Sequence, residues 1–303
     1  MIRTKPLLAA LSLSAAAVLL GAAKPLPTPT AFTPALAYLY NGQEIRLSNA
    51  DGSAAALLVR VAPNSVLYHA LAPLGQRQAA FVESASLTSK SVRFVSWTQP
   101  TPGGPLSVTL DPTPLMTLSA YGAYIAGLDF SPDGTRLAVV SNINGANYEL
   151  RIFDAASRTL IGDPIPLAQE AWYLRWRSDG SILLLGEPGA ATFKDGVQTP
   201  LFTGIDSAEF DTFNAGSQSA VFSKHQPGGA LQLWDGVSVV DGVPVLSTIS
   251  DGVEASISCD NAQMIFKRLG SRTTIQVKTL ATGADREFSR DRYIRFATYP
   301  VAC

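Results

Sequence analysis

The chain has 303 residues, a formal charge of −1, 47% hydrophobic residues and only 16% charged ones. That balance excludes a disordered chain, and the absence of any basic block excludes nucleic acid as an expected partner. With two histidines and two cysteines, the sequence holds little material for a metal site, and no cofactor is expected.

Residues 1–23 read as a signal peptide. Arg3 and Lys5 form a basic start, residues 7–20 are an uninterrupted run of Leu, Ala, Val and Ser, and Gly21-Ala22-Ala23 supply the small residues of a cleavage site. The run is shorter than the roughly 20 residues that span a bilayer, so no transmembrane segment is expected after cleavage. The mature protein is therefore expected in the periplasm or the medium. Residues 24–34 carry Pro25, Pro27, Pro29 and Pro34 and read as an extended spacer, because proline fixes φ and lacks an amide donor. Residues 35–303 form the expected single domain, long enough to bury a substantial core.

The clearest unit of that domain is Leu128-Asp129-Phe130-Ser131-Pro132-Asp133-Gly134-Thr135-Arg136-Leu137. Alternating residues lead into a turn in which Pro132 sets φ, Asp133 caps and Gly134 takes a positive φ. Residues 137–140 then read as a buried strand, 148–154 as a third strand with period two, and 160–167 as a fourth. The unit recurs at Leu71-Ala72-Pro73-Leu74-Gly75, Trp176-Arg177-Ser178-Asp179-Gly180, Phe213-Asn214-Ala215-Gly216 and Ile257-Ser258-Cys259-Asp260-Asn261. The anchors at 71, 130, 176, 213 and 257 are 59, 46, 37 and 44 residues apart, spacings that fit four-stranded propeller blades of roughly 40–50 residues. Residues 100–105, rich in Pro and Gly, explain the long first interval as a hairpin extension.

The two ends of the domain fix the blade count. Residues 36–40, 44–52 and 55–61 supply a second, third and fourth strand with no first strand before them, and residues 293–299 supply a first strand with no blade after it. One blade made from both ends leaves no open sheet edge. The expected fold is therefore all-β: a six-bladed propeller of four-stranded antiparallel blades, closed by the C-terminal strand joining the N-terminal blade.

Ser131-Pro132-Asp133-Gly134-Thr135-Arg136-Leu137-Ala138 and Ile45-Arg46-Leu47-Ser48-Asn49-Ala50-Asp51-Gly52-Ser53 resemble the repeats of TolB-type propellers, often described as WD-repeat-like. The resemblance covers most of the mature chain. It concerns the propeller part alone, since the α/β domain that precedes the propeller in that family has no counterpart before residue 35. The residues that carry it are turn formers and core, so it implies a blade and says little about function.

Candidate chemistry is sparse. His69 and His225 have no partners at ligand spacing, no Gly-x-Ser-x-Gly elbow is present, and the Asp-Gly pairs lack the further carboxylates of a calcium loop. Aromatic and charged residues gather just before or within the first strands, which line the axial channel of a propeller: Tyr121, Tyr124, Trp172, Tyr173, Arg175, Asp206, Glu209, Asp211 and Glu254. Aromatics and arginine are enriched at binding hot spots, although Trp172 and Tyr173 also suit packing between blades. The favoured expectation is a monomeric, non-enzymatic scaffold that recognises a protein or peptide of the cell envelope. The alternatives are a glycan or small ligand in the channel, or a carbohydrate-active enzyme working through carboxylates alone. Cys259 and Cys303, an even count in an exported chain, are expected to form a disulfide, because Cys259 follows the first strand of the last complete blade and Cys303 ends the strand that closes the ring. Two separate buried thiols are the alternative.

Overall fold

The computed structural model describes residues 31–63, 65–143, 147–204, 210–215, 219–224, 229–269 and 271–300. Among them the strands form six antiparallel sheets. Blade one joins Leu36–Tyr40, Glu44–Ser48 and Ala55–Arg60 to the closing strand Ile294–Thr298. Blade two contains Val66–Leu71, Gln78–Ser84 and Lys90–Thr98, with an outer edge split between Ser107–Leu110 and Met116–Leu118. Blade three is Tyr124–Phe130, Arg136–Asn142, Tyr148–Asp154 and Ile165–Pro166; blade four is Tyr173–Trp176, Ile182–Leu185, Gly189–Lys194 and Val197–Thr203. Blade five is Phe210–Ala215, Ala220–Lys224, Ala230–Val240 and Val243–Ser250, and blade six is Val253–Ile257, Gln263–Arg268, Thr274–Thr279 and Asp285–Ser289.

The blade turns form for the reasons their sequence implies. In blade three the Asp133 carboxylate accepts from the Thr135 amide at 3.0 Å and from Ser131 Oγ at 2.6 Å, while the Ser131 amide donates to the Arg136 carbonyl at 2.9 Å. Gly134 has φ +71°, and a Cβ there would stand 2.6 Å from Gln76 Cγ of blade two, so the position requires glycine twice over. The same carboxylate-to-amide turn recurs at Asp179 with Ser181 and at Asp260 with Ala262. At Asp133 and Asp179 it gives the carboxylate of the Asp-Gly pair its partners within the turn.

Two blades depart from the regular four-strand pattern for local reasons. Thr98 pairs with Ser107 across residues 99–106, so the stretch at 100–105 is a hairpin extension as expected. Residues 31–34 lie against it: Phe32 bridges Gly103, Gln99 Nε2 donates to the Phe32 carbonyl at 3.0 Å, and the Phe32 ring is buried. In blade three the fourth strand shrinks from the expected 160–167 to Ile165–Pro166 plus a single bridge at Leu160. Pro164 and Pro166 supply no amide to the ladder, and Gly162 turns the backbone away with φ +70°.

The ring closes between the chain ends. Tyr40 pairs with Ile294, Leu39 with Arg295 and Ala37 with Thr298, and each innermost strand touches the innermost strand on either side. The core lies between blades. Phe94 of blade two meets Phe130 of blade three edge-to-face at 5.8 Å, and Arg158 lies over the Phe94 ring at 3.5 Å. Phe130 is fully buried. Phe130→Ala is expected to cost about 3–5 kcal/mol in urea unfolding, the range for a buried Phe emptied into a cavity; a loss below ~1 kcal/mol would show that the blade interface repacks freely.

Candidate functional site

The innermost strands do not run straight. Register shifts interrupt their pairing in blade two between Val66 and Tyr68, in blade three opposite Val140 and Ser141, in blade five between Phe210 and Thr212, in blade six between Val253 and Ser256, and in the closing strand opposite Ala37 and Leu39. The described innermost strand of blade four pairs without a shift. Bulges bend a strand and re-aim its side chains, and they gather beside functional sites. Beside the bulges of blade two, blade six and the closing strand lies a bowl of about 520 Å³ lined by Leu67, Tyr68, Tyr173, Glu254, Arg295 and Phe296 among others. Glu254 and Phe296 both hold positive φ, 53° and 44°. Neither is a glycine, and backbone strain of this kind persists only where the surroundings enforce it. Glu254 supplies part of that enforcement, accepting from Arg295 Nε at 3.0 Å and from the Phe296 amide at 3.4 Å.

Beneath the bowl the channel narrows to a cavity of about 90 Å³, crossed by a strut. Arg175 of blade four reaches the Asp129 carboxylate of blade three at 3.4 Å and the Pro300 carbonyl, beyond the closing strand on the opposite side of the ring, at 3.3 Å. Asp129 also accepts the Trp176 amide at 2.8 Å. Both members of the pair are buried. Burial pushes the Asp129 carboxyl up to about 6, and Arg175 and the Trp176 amide offset this only in part. His69, also buried on the innermost strand of blade two, has no hydrogen-bond partner on either ring nitrogen. The Ala37 carbonyl favours its charged form without reaching hydrogen-bond geometry, and burial prevails, lowering its pKa to about 4. On the far side a second mouth of about 480 Å³ is lined by Pro73, Leu74, Cys259, Asp260, Gln263 and Tyr299, among others.

The residues singled out from sequence divide between surface, bowl and interior. Tyr121 is exposed on the turn before the innermost strand of blade three. Tyr124 shares a short hydroxyl contact with Tyr148 inside that blade. Trp172 packs between blades and donates from Nε1 to Glu170 at 3.1 Å. Tyr173 and Glu254 do line the bowl, and Tyr173 meets Tyr68 edge-to-face at 6.5 Å. Arg175 forms the floor and not the rim. Asp211 falls on the innermost strand of blade five, while Asp206, Glu209, His225 and Cys303 lie outside the described residues. Sequence reasoning passed over Asp129, Tyr68 and Phe296. The signal for Asp129 was a carboxylate within an otherwise apolar first strand. Among the described residues no cluster of three or more His, Cys, Asp or Glu is placed to hold a metal ion, and no helix is long and apolar enough to cross a membrane.

Two buried groups of the channel, His69 and Asp129, set opposing pH slopes. His69 titrates near 6.5 when unfolded and near 4 when folded, so it costs stability as pH falls through that interval. Asp129 titrates near 3.9 unfolded and near 6 folded, so its contribution is fully present below the unfolded value and is lost as pH rises to the folded one. With His69→Leu, stability from urea unfolding should therefore decline more between pH 4 and pH 6 than in the wild type. An unchanged pH slope in this variant would contradict the burial of a neutral imidazole.

No protein-family model matches the chain, and no curated protein matches it in sequence. Among solved structures it is similar to TolB from Acinetobacter baumannii, with a TM-score of 0.63 and 15% identity over 91% of this chain and 68% of that one. It is also similar to a protein described as TolB from Agrobacterium tumefaciens, with a TM-score of 0.52 and 11% identity over 89% of this chain and 92% of that one. A protein described as a 6-phosphogluconolactonase from Bacteroides uniformis ATCC 8492 gives a TM-score of 0.53 and 12% identity over 88% and 98% of the two chains. At these identities the likeness is one of fold, which proteins of different named activity share. Together with the closed ring of four-stranded blades, it identifies this chain as a six-bladed β-propeller of the fold carried by TolB.

Proposed function

We propose that the chain is an exported, non-enzymatic binding propeller that holds a protein or peptide segment of the cell envelope in the bowl at one mouth of its channel. The observation that carries this reading is the bowl itself: a concave opening walled by Tyr68, Tyr173 and Phe296, bounded by the Glu254–Arg295 pair and floored by the Arg175 strut. Aromatic walls with a polar rim are the usual composition of a recognition surface. The charged groups described in the channel are engaged with one another, which favours holding a ligand over transforming one. The narrow cavity below, together with the Tyr68–Tyr173 pair, favours a second reading in which a small polar ligand enters the channel.

Arg175 is a poor place to test binding. Removing one member of a buried ion pair costs about 3–5 kcal/mol, so its loss reports on the fold. Photo-crosslinking separates the two effects. A photoreactive residue at Leu67 or Val253, in the bowl, is expected to capture a discrete envelope partner, whereas one at Val197 or Val245, exposed on outer strands, is not. Equal capture from both sets of positions would remove the bowl from consideration.

Export carries an expectation for the cysteines. Cys259 lines the second mouth beside Tyr299 and Pro300. A Cys259–Cys303 disulfide would tie the closing strand to blade six, closing an interval of 44 residues worth about 4 kcal/mol on the chain-entropy argument. Denatured, unreduced protein is expected to contain no free thiol; two per chain would refute the bridge.

A further inference from the structure

The rim of blade one and its neighbour blade six holds more positive charge than its fold requires, and holds it in fixed positions. Glu44, whose side chain is 3% exposed, accepts from Arg46 Nε at 2.8 Å and from Arg60 Nε at 2.6 Å. Glu254 accepts from Arg295 Nε at 3.0 Å, with Lys267 Nζ at 3.8 Å. Each carboxylate thus orients two cations and neutralises one. Arg60 and Arg295 leave 64% and 51% of their side chains in solvent.

A ladder of rings links the set. Arg46 lies over Tyr40 at 3.8 Å, Tyr40 meets Tyr293 edge-on at 6.1 Å, and Arg292 lies over Tyr293 at 5.0 Å. Asp291 is the third carboxylate; it accepts from the Tyr293 amide at 3.0 Å, and desolvation, helped by its charge, raises the Tyr40 hydroxyl above its usual pKa. Arg46, Arg60, Lys267, Arg292 and Arg295 therefore stand against Glu44, Glu254 and Asp291, in a chain whose overall charge is −1. Exposed ion pairs contribute at most about 1 kcal/mol to stability, and one cation would satisfy each carboxylate. The second cations are surplus to folding.

We propose that this rim recognises the carboxylates of an extended, acidic peptide whose body lies in the bowl; the inference rests on the reading of the bowl as a peptide site. Three features select that occupant. Guanidinium groups locked by a buried carboxylate present a planar fork that suits a second carboxylate and lose little entropy on engaging it. Arginine and tyrosine together make the composition of a binding hot spot. The patch also continues into a concave bowl through Arg295, which belongs to both, and a concavity accepts a chain where a bilayer surface needs a convex or flat face.

The test selects a randomised, phage-displayed peptide library against the full mature chain and against the double variant Arg60→Ala, Arg292→Ala. That variant removes two exposed cations and leaves Glu44 and Glu254 a cation each, so it should unfold in urea as the wild type does. Peptides enriched on the wild type are expected to be rich in Asp and Glu, to bind the variant about tenfold more weakly, to weaken with salt, and to lose about as much when their carboxylates are replaced by amides. Enrichment without acidic bias, or acidic peptides that bind the variant equally well, overturns the inference and leaves the bowl standing as a peptide site. If nothing is enriched, both readings fall. Binding of phosphatidylglycerol vesicles that depends on Arg60 and Arg292, without peptide enrichment, assigns the rim to a membrane surface instead.

Discussion

A ring whose two chain ends share one sheet depends on the hydrogen bonds between Leu36–Tyr40 and Ile294–Thr298. Without them blade one has three strands, its inner edge presents unpaired amides and carbonyls to the channel, and blade six loses a wall. An unpaired edge is costly and adhesive, so this ladder carries more consequence than its length implies. The Pro300 carbonyl that anchors Arg175 directly follows the closing strand. The bulge beside Phe296 and Arg295 is a property of the same pairing, and Ala37, on the strand that pairs with the closing strand, stands beside His69. The site and the closure of the fold are one structure.

The channel also shows how a propeller uses buried polarity. A strut made of leucine would fill the axis equally well, and replacing buried ion pairs by apolar residues is often neutral or stabilising. An arginine differs in having several directed donors. Arg175 addresses blade three and the opposite side of the ring at once, and Asp129 uses its second oxygen on the Trp176 amide. Such a pair specifies which strands face one another, in a fold whose six sheets are otherwise similar enough to pack in shifted order. The expense appears in Asp129 and His69, both displaced from their ordinary titration by burial.

The blades were legible in sequence because each turn is encoded locally. Pro132, Asp133 and Gly134 each satisfy one requirement of the same turn, and a strand buried on both faces, such as residues 137–140, reads as a continuous apolar run. Closure was legible because three strands at one end lacked the one strand found at the other. The bowl was not. Bulges at Glu254 and Phe296 carry no residue signature, since both adopt positive φ under tertiary enforcement and not by preference. Depth was equally hidden: Arg175 and Tyr173 lie two positions apart on one strand, yet one closes the floor and the other lines the bowl. Asp129 alternates with apolar neighbours as a solvent-facing residue would, but in a propeller both faces of a blade are covered, so alternation does not separate inside from outside.

That difference between strand position and depth bears on where recognition can arise. Arg175 and Asp129, deep in the channel, are bound to one another, and changing them spends stability before it alters affinity. At the rim the cost reverses. Glu44 is buried and Glu254 largely shielded, so each needs a partner, but Arg60 and Arg295, the second cations, are exposed and their loss leaves no unpaired buried charge. Charge at the rim can therefore vary without disturbing the ring, and a rigid closed scaffold with a tolerant edge is the arrangement in which binding surfaces diverge while the fold persists. It is also consistent with a likeness to other propellers that extends over most of their length in structure and is nearly absent in sequence.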